Sequence, residues 1–141
     1  MEVASFLNLD LDLRSKTDLA PLAKHLDRFA SLLHSGNHSG EFRITAESLI
    51  GGHPSIDPAA CTRELLETLT ALPVALRTLF DSCHLRIFDY GFDGGLEASP
   101  YSVDLPASQL LQMAQMGIDL RVTVYPHRTD PAIEKETEVD A

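Results

Sequence analysis

The chain has 141 residues, of which 44% are hydrophobic, and a formal net charge of −10 at pH 7. This length is typical of a single domain with one sizeable core, and the hydrophobic content is that of a globular protein. The acidity disfavours nucleic-acid binding, because phosphate contacts need clustered lysines and arginines. An acidic surface instead favours a basic protein partner.

The sequence gives no sign of membrane insertion or secretion. No run approaches the roughly 20 apolar residues that cross a bilayer. The first ten residues lack the basic and apolar regions of a secretion signal. The only cysteines, Cys61 and Cys83, are too few for a disulfide scaffold and fall in helical patterns, which predicts buried, reduced thiols. We therefore expect a cytoplasmic protein that makes no membrane contact.

Residues 1–128 are predicted to form one α/β domain, and residues 129–141 an acidic, disordered tail. The tail carries five acids and one lysine and has almost no apolar content. The first 128 residues keep a net charge of −6 without it. The folded part is therefore acidic in its own right.

The opening stretch, SFLNLDLDLRS over residues 5–15, alternates strictly between apolar and polar positions. Side chains of a strand point to opposite faces with a period of two. The pattern predicts a strand whose leucines enter the core while a mostly acidic row lies on the open face of a sheet. The leucines are Leu7, Leu9, Leu11 and Leu13, and the polar row is Asn8, Asp10, Asp12 and Arg14.

A helix, a loop and a second strand are predicted next. Thr17 can cap a helix whose apolar stripe runs over residues 19–33. Residues 34–40, HSGNHSG, are predicted to be a loop. Residues 41–50 alternate again and indicate a strand.

A long helical segment follows, capped by Asp57 with Pro58 in its first turn. Pro73 interrupts the helical spacing and predicts a kink or two short helices that meet there. Residues 84–92 are then predicted to form a strand whose phase is ambiguous. Either Arg86, Phe88 and Tyr90 face outward, or Asp89 and Asp93 do.

The last predicted elements are a short strand over residues 101–105, a helix over residues 107–115 that ends at Gly117, and a strand over residues 119–126. In that final strand Leu120, Val122 and Val124 are predicted to point inward. The pattern as a whole indicates an α/β (α+β) two-layer sandwich. It would have a mixed sheet of about five strands with helices on one face, in an arrangement similar to the ferredoxin-like fold.

Residues 86–97, RIFDYGFDGGLE, partly resemble a calcium-binding loop. Asp89, Asp93 and Glu97 fit positions 1, 5 and 9, but Gly91 stands at position 3 and Pro100 where a bidentate glutamate is needed. A strand with a glycine-rich turn is the better interpretation. Asp10 and Asp12 could belong to a magnesium site, but the sequence offers no third ligand.

The remaining patterns predict no metal, no cofactor and no catalytic residues. His34 and His38 are four residues apart, but they lie in a loop with two glycines, and no cysteine with zinc spacing accompanies them. The chain has no nucleophile elbow, phosphate loop or dinucleotide fingerprint. An enzyme with a spatially assembled site remains an alternative.

The open face of the predicted sheet is the candidate functional surface. Its predicted members are Asn8, Asp10, Asp12, Glu41, Arg43, Thr45, Glu47, Arg121, Thr123 and Tyr125. We predict that Asp10 and Asp12 form the centre of a site for a basic protein partner. The residues predicted at its rim are Asp89, Tyr90, Asp93 and Glu97. The alternative is an ordinary solvated sheet.

Three stretches, ALPVALRTLFD, LRIFDYGF and GIDLRVTVYP, are similar in order and spacing to a family of small, uncharacterised bacterial proteins. The resemblance covers the C-terminal half and brings no catalytic residues. By size and acidity the chain also resembles immunity proteins, which bind and silence bacterial toxins. That likeness implies a toxin inhibitor; the alternative is a small-molecule-binding regulatory domain with GFDGG, residues 91–95, as its ligand loop.

Overall fold

The computed structural model describes residues 3–51 and 57–127 and confirms an α/β fold with a five-stranded mixed sheet. The elements in chain order are β1 (Ser5–Ser15), α1 (Ala20–Leu26), β2 (Ser31–His38), β3 (Glu41–Glu47), α2 (Pro58–Thr70), α3 (Val74–Ser82), β4 (Leu85–Asp93), α4 (Ala107–Gln115) and β5 (Asp119–Tyr125). The predicted tail, residues 129–141, lies outside the described residues. None of the helices within these ranges is long and apolar enough to cross a bilayer.

The strand order is β2-β3-β1-β4-β5, which puts β1 at the centre of the sheet. The β1, β2, β3 and β4 strands pair antiparallel, whereas β4 and β5 are parallel and are joined through α4. The central strand therefore carries the acidic row between two partners, β3 and β4.

The leucine row of β1 forms the middle of the core, as predicted. Leu9, Leu11 and Leu13 are at most 1% exposed and lie on the helix-covered face. Leu7 does not continue this row, because the register with β4 shifts between Phe6 and Asn8. Such a β-bulge re-aims the side chains around it. Leu7 instead lines a depression on the open face.

The phase of β4 follows from its register with β1. Phe88 lies opposite Leu11 and Tyr90 opposite Leu9, and both aromatic side chains are buried in the core. Asp89 lies opposite Asp10 and therefore shares the open face. Of the two phases left open by the sequence, the one that places Asp89 and Asp93 on the open face is correct.

The local signals for the helices after residue 57 are confirmed. The Asp57 side chain accepts a hydrogen bond of 2.8 Å from the Ala60 amide and caps α2. Pro73 separates α2 from α3, as its missing amide hydrogen requires. Gly117 has a φ of +69° just after α4, the left-handed conformation common at helix C-termini.

The predicted helix over residues 19–33 is confirmed only as far as Leu26, and the predicted loop over residues 34–40 is wrong. The helix ends at Leu26, and β2 pairs with β3 in a hairpin that turns at Ser39 and Gly40. Both turn residues have positive φ, 56° and 82°, as a two-residue hairpin turn requires. Strand pairing with β3, which places Leu32 opposite Ala46, overrides the weak helical spacing.

The predicted strand over residues 101–105 is also wrong. The chain between β4 and α4 is irregular, and β2 supplies the fifth strand. In this connection the Tyr101 hydroxyl accepts a hydrogen bond of 2.9 Å from the Phe6 amide, while Pro100 and Pro106 have no amide to donate to a ladder.

The last strand has the predicted faces but not the predicted burial. Leu120, Val122 and Val124 share the helix-side face with Phe88 and Tyr90. They are nevertheless 47%, 57% and 64% exposed. Within residues 3–51 and 57–127, the helices cover the centre of the sheet and do not cover β5 at its edge.

Candidate functional site: an acidic cluster on the open sheet face

The strand register assembles a row of charged side chains across four strands. Asp10 of β1 lies opposite Glu47 of β3 on one side and Asp89 of β4 on the other, and Asp89 lies opposite Arg121 of β5. Asp12 lies two residues further along β1, on the same face. Four carboxylates and one guanidinium therefore meet on the face without helices; we call Asp10, Asp12, Glu47 and Asp89 the acidic cluster.

Arg121 compensates one side of the acidic cluster. Its Nη1 lies 3.5 Å from Asp12 Oδ2 and 3.8 Å from Asp89 Oδ2. The Thr123 hydroxyl donates a hydrogen bond of 2.7 Å to Asp89 Oδ1. The charges of Asp12 and Asp89 are thus balanced in part by groups from β5.

Asp10 lacks such compensation. Its carboxylate makes no hydrogen bond or ion pair within the described part of the chain, and its charged neighbours are all acids. Burial, followed by repulsion from Glu47, Asp89 and Asp12, raises the pKa of Asp10 from 3.8 to about 6. The ionised form of Asp10 would therefore gain from an added cation.

Two further contacts define the cluster. The side-chain amide of Asn8 donates hydrogen bonds to Glu47 Oε1 and, at 3.4 Å, to the Ser48 carbonyl oxygen. Asp12 is 8% exposed, and its buried Oδ1 has no hydrogen-bond partner among the described residues. A buried carboxylate oxygen without a donor carries an unmet desolvation cost.

A depression of about 250 Å³ opens beside Asp10. It exists because Gly91 of β4 has no side chain between Asn8 of β1 and Tyr125 of β5. A Cβ atom at Gly91 would lie 3.4 Å from the Tyr125 ring and 3.6 Å from the Asn8 carbonyl oxygen. The depression is lined by Leu7, Asn8, Asp10, Glu47, Asp89, Gly91 and Tyr125.

The structure brings together three of the six predicted site residues: Asp10, Asp12 and Asp89. Asp93 lies at the end of β4, 8% exposed, where it accepts a hydrogen bond of 2.8 Å from the Gly95 amide and contacts His127 Nδ1 at 3.1 Å. Glu97 is exposed in the loop after β4 and does not line the depression.

Tyr90 does not fit the predicted role at the rim. Its side chain is 2% exposed, lies in the core, and places its hydroxyl 2.6 Å from Thr62 Oγ1 of α2. Burial raises the pKa of Tyr90 to about 12. This tyrosine holds α2 on the sheet, and a partner at the open face would not contact it.

Glu47, Asn8 and Tyr125 were expected on the open face but were not predicted as site residues. Alternation in β1, β3 and β5 gives the face of each residue but not the strand order. The juxtaposition of Glu47 with Asp10 depends on β3 pairing with β1, and that of Tyr125 with Gly91 on β5 lying beside β4. Neither neighbour relation is encoded in local patterning.

The other candidate features are less suited to binding a ligand than the acidic cluster. The Gly94 amide donates to the Tyr125 carbonyl at 2.9 Å and the Gly95 amide to Asp93, so these two amides of the GFDGG loop are already engaged. Burial raises the pKa of both cysteine thiols, that of Cys83 to about 11, which opposes thiolate formation near neutral pH. Within residues 3–51 and 57–127, no group of three or more potential ligand side chains is arranged to hold a metal ion.

A groove of about 290 Å³ lies between α1 and the β2–β3 hairpin, with Lys24 and Asp27 at its polar side and Leu32 and Phe42 among its apolar walls. Both signs of charge are present there, so the groove has no marked preference for one ligand charge.

Comparison of the chain with protein families, curated proteins and solved structures finds no match.

Proposed function

We propose that the chain is a protein-interaction module that binds basic side chains of a partner protein at its acidic cluster. The observation that carries this proposal is the environment of Asp10. Three carboxylates surround it, no positive group contacts it in the described part of the chain, and a depression opens beside it. A lysine or arginine side chain from a partner is the complementary ligand.

The energetic argument rests on the uncompensated charge. Asp10 is already partly removed from water and repelled by its neighbours, so a cation placed in the depression would gain from several carboxylates at once. Charge pairs at desolvated interface centres reach coupling energies of about 1.5–7 kcal/mol. The carboxylates stand on paired strands, so little backbone freedom is lost when a partner docks.

The most concrete form of this proposal is an immunity protein that inhibits a cognate bacterial toxin. A toxin that acts on nucleic acid must present basic residues to phosphates. An acidic sheet face could cover such a surface and occupy it in place of the substrate. The net charge of −6 on the first 128 residues would also speed association with a basic protein.

The proposal is tested by measuring binding to a candidate toxin domain, taken first from the gene next to that of this chain. We expect Asp10→Asn and Asp89→Asn to weaken binding at least tenfold, most strongly at low salt. Glu67→Gln is the matched control, because it removes one negative charge from an exposed position on α2, in the helix layer.

Equal affinities for the wild type, Asp10→Asn and Asp89→Asn at low and high salt would show that the acidic cluster is only a solvated surface. An equal loss in Glu67→Gln would show that net charge, rather than this site, drives the association. Circular dichroism and thermal melts of each variant establish that it is folded.

A further inference from the structure

Among the residues that the structure describes, no strand lies beside the outer edge of β5, and this edge has few of the features that normally protect one. The β5 strand is the last in the sheet, it spans seven residues, and it contains no lysine, proline, glycine or bulge. Exposed regular edges of this kind readily pair with another strand. The opposite edge differs, because β2 contains a register shift and Gly36 with a φ of +123°.

Backbone geometry shows which groups face this open edge. The Tyr125 carbonyl accepts a hydrogen bond of 2.9 Å from the Gly94 amide, so it points towards the β4 side. Backbone groups of successive strand residues point to alternate sides. The amides and carbonyls of Leu120, Val122 and Val124 therefore point away from β4, towards the open edge.

The same three residues carry the exposed apolar side chains of the helix-side face. With the neighbouring Tyr101 and Val103, which are 44% and 38% exposed, they form an apolar edge patch. Their exposed fractions correspond to roughly 450 Å² of surface, within the range of patches on monomers that are often functional. The exposed residues on the other face of β5 add to this area, which brings it towards the roughly 800 Å² that each partner contributes to a specific interface.

We propose that a second copy of this chain pairs with β5 in an antiparallel arrangement, which joins two five-stranded sheets into one of ten strands. The two-fold axis passes beside Val122. This register pairs all seven residues of β5, with Val122 opposite its counterpart and Leu120 opposite Val124 of the partner. Because Leu120, Val122 and Val124 direct their backbone groups outward, the pairing forms about six hydrogen bonds and keeps the apolar side chains on one face.

Charge and register favour a second copy as the occupant. The β5 strand carries one acid, Asp119, and one base, Arg121, so it is locally neutral within an acidic chain. In the full-overlap register Arg121 lies opposite Thr123 of the partner. A shift of the axis to Arg121 would bring two arginines face to face and leave two residues of each strand unpaired. A basic partner, in contrast, would find stronger electrostatic attraction at the acidic cluster than at β5.

The proposal is tested by sedimentation equilibrium of the full chain over a dilution series. We expect the mass of two chains at high concentration and reversible dissociation on dilution. Val122→Lys should raise the dimer dissociation constant about a hundredfold or more, because two lysines would face each other at the axis. Val74→Lys is the matched control, since Val74 is an 85% exposed valine on α3 and α3 packs against α1.

A second variant tests the backbone pairing itself. Val122→Pro removes an outward amide and is compatible with an edge strand whose amide faces solvent, so it should weaken the dimer while leaving the melting temperature of the monomer close to that of the wild type. A wild-type chain that is monomeric throughout the series overturns the proposal and leaves the edge to a strand from another protein. A dimer that survives both Val122→Lys and Val122→Pro also overturns it, because its interface would lie elsewhere.

Discussion

Replacing Asp10 with asparagine should stabilise the folded protein at neutral pH. The substitution keeps the size of the side chain and removes the charge that Glu47, Asp89 and Asp12 repel. In the folded state the pKa of Asp10 is raised, so its ionised form is disfavoured relative to the unfolded chain. The asparagine side chain carries no charge at any pH, so the variant is free of this cost throughout the range in which the wild type titrates.

The magnitude follows from the pKa difference. A rise from 3.8 to about 6 is roughly two units, and each unit is worth 1.36 kcal/mol, which gives an upper limit of about 3 kcal/mol. Asp10 retains contact with solvent, which screens the repulsion, so we expect about 1–2 kcal/mol. For a chain of this size that gain corresponds to a rise in melting temperature of roughly 3–8 °C.

The sign of the effect fixes its pH dependence. Between pH 3.8 and about 6 the folded state binds more protons at Asp10 than the unfolded state, so stability falls as the pH rises through this window. The advantage of Asp10→Asn should therefore be close to zero below about pH 4, grow between about pH 4 and 6, and be complete at pH 7. Urea denaturation of both proteins from about pH 3.5 to 8 measures this difference, provided that the wild type stays folded at the acid end.

Two results would refute this reasoning. A loss of stability at pH 7 would mean that Asp10 makes a favourable interaction of its own. A gain of the same size at pH 4 and pH 7 would mean that the amide improves hydrogen bonding rather than relieving repulsion. Glu67→Gln, which removes a charge outside the acidic cluster, should show no comparable pH-dependent gain.

Three further predictions concern the core and the depression. Leu11→Ala should lower the free energy of unfolding by about 2–5 kcal/mol in urea denaturation, because Leu11 is 1% exposed in the central strand; a cost below about 1 kcal/mol would contradict its place in the core. Tyr90→Phe should lower the free energy of unfolding by about 0.5–1.5 kcal/mol, because the contact with Thr62 is lost. Calorimetric titration should show unchanged affinity for the partner. Weaker binding would mean that Tyr90 belongs to the interface after all. Gly91→Val should narrow the depression beside Tyr125 and weaken binding of the partner severalfold in the same assay; unchanged binding would place the basic side chain elsewhere on the sheet.

The sequence predicted those parts of the fold that strong local patterns encode. The alternation in β1 identified Leu9, Leu11 and Leu13 as core, and a proline and a capping aspartate located the boundaries of α2 and α3. It did not predict Leu7 at the open face, because the bulge beside it arises from pairing with β4.

The hairpin of β2 and β3 was missed for a related reason. The helical spacing of apolar residues continues to Leu33, and only pairing with β3, which places Leu32 opposite Ala46, makes the extended conformation the favourable one. The turn did carry a sequence signal, because a Ser-Gly pair marks a turn, and Ser39 and Gly40 both have the positive φ that a two-residue hairpin requires. Strand order, which brings Glu47 and Asp89 to either side of Asp10, is a tertiary property with no local signature.

The proposed binding face and the proposed dimer edge have a joint consequence for a partner. Asp10 lies two strands from β5, and strands are spaced about 4.8 Å apart, so pairing about Val122 would put two acidic clusters roughly 25 Å apart on one continuous face. A partner with two basic segments at that spacing would bind through both, and the second contact would act at a raised effective concentration. One binding titration then distinguishes the effects of the two proposals. Asp10→Asn weakens each contact and leaves the dimer intact, whereas Val122→Lys leaves each contact intact and removes only the gain from having two.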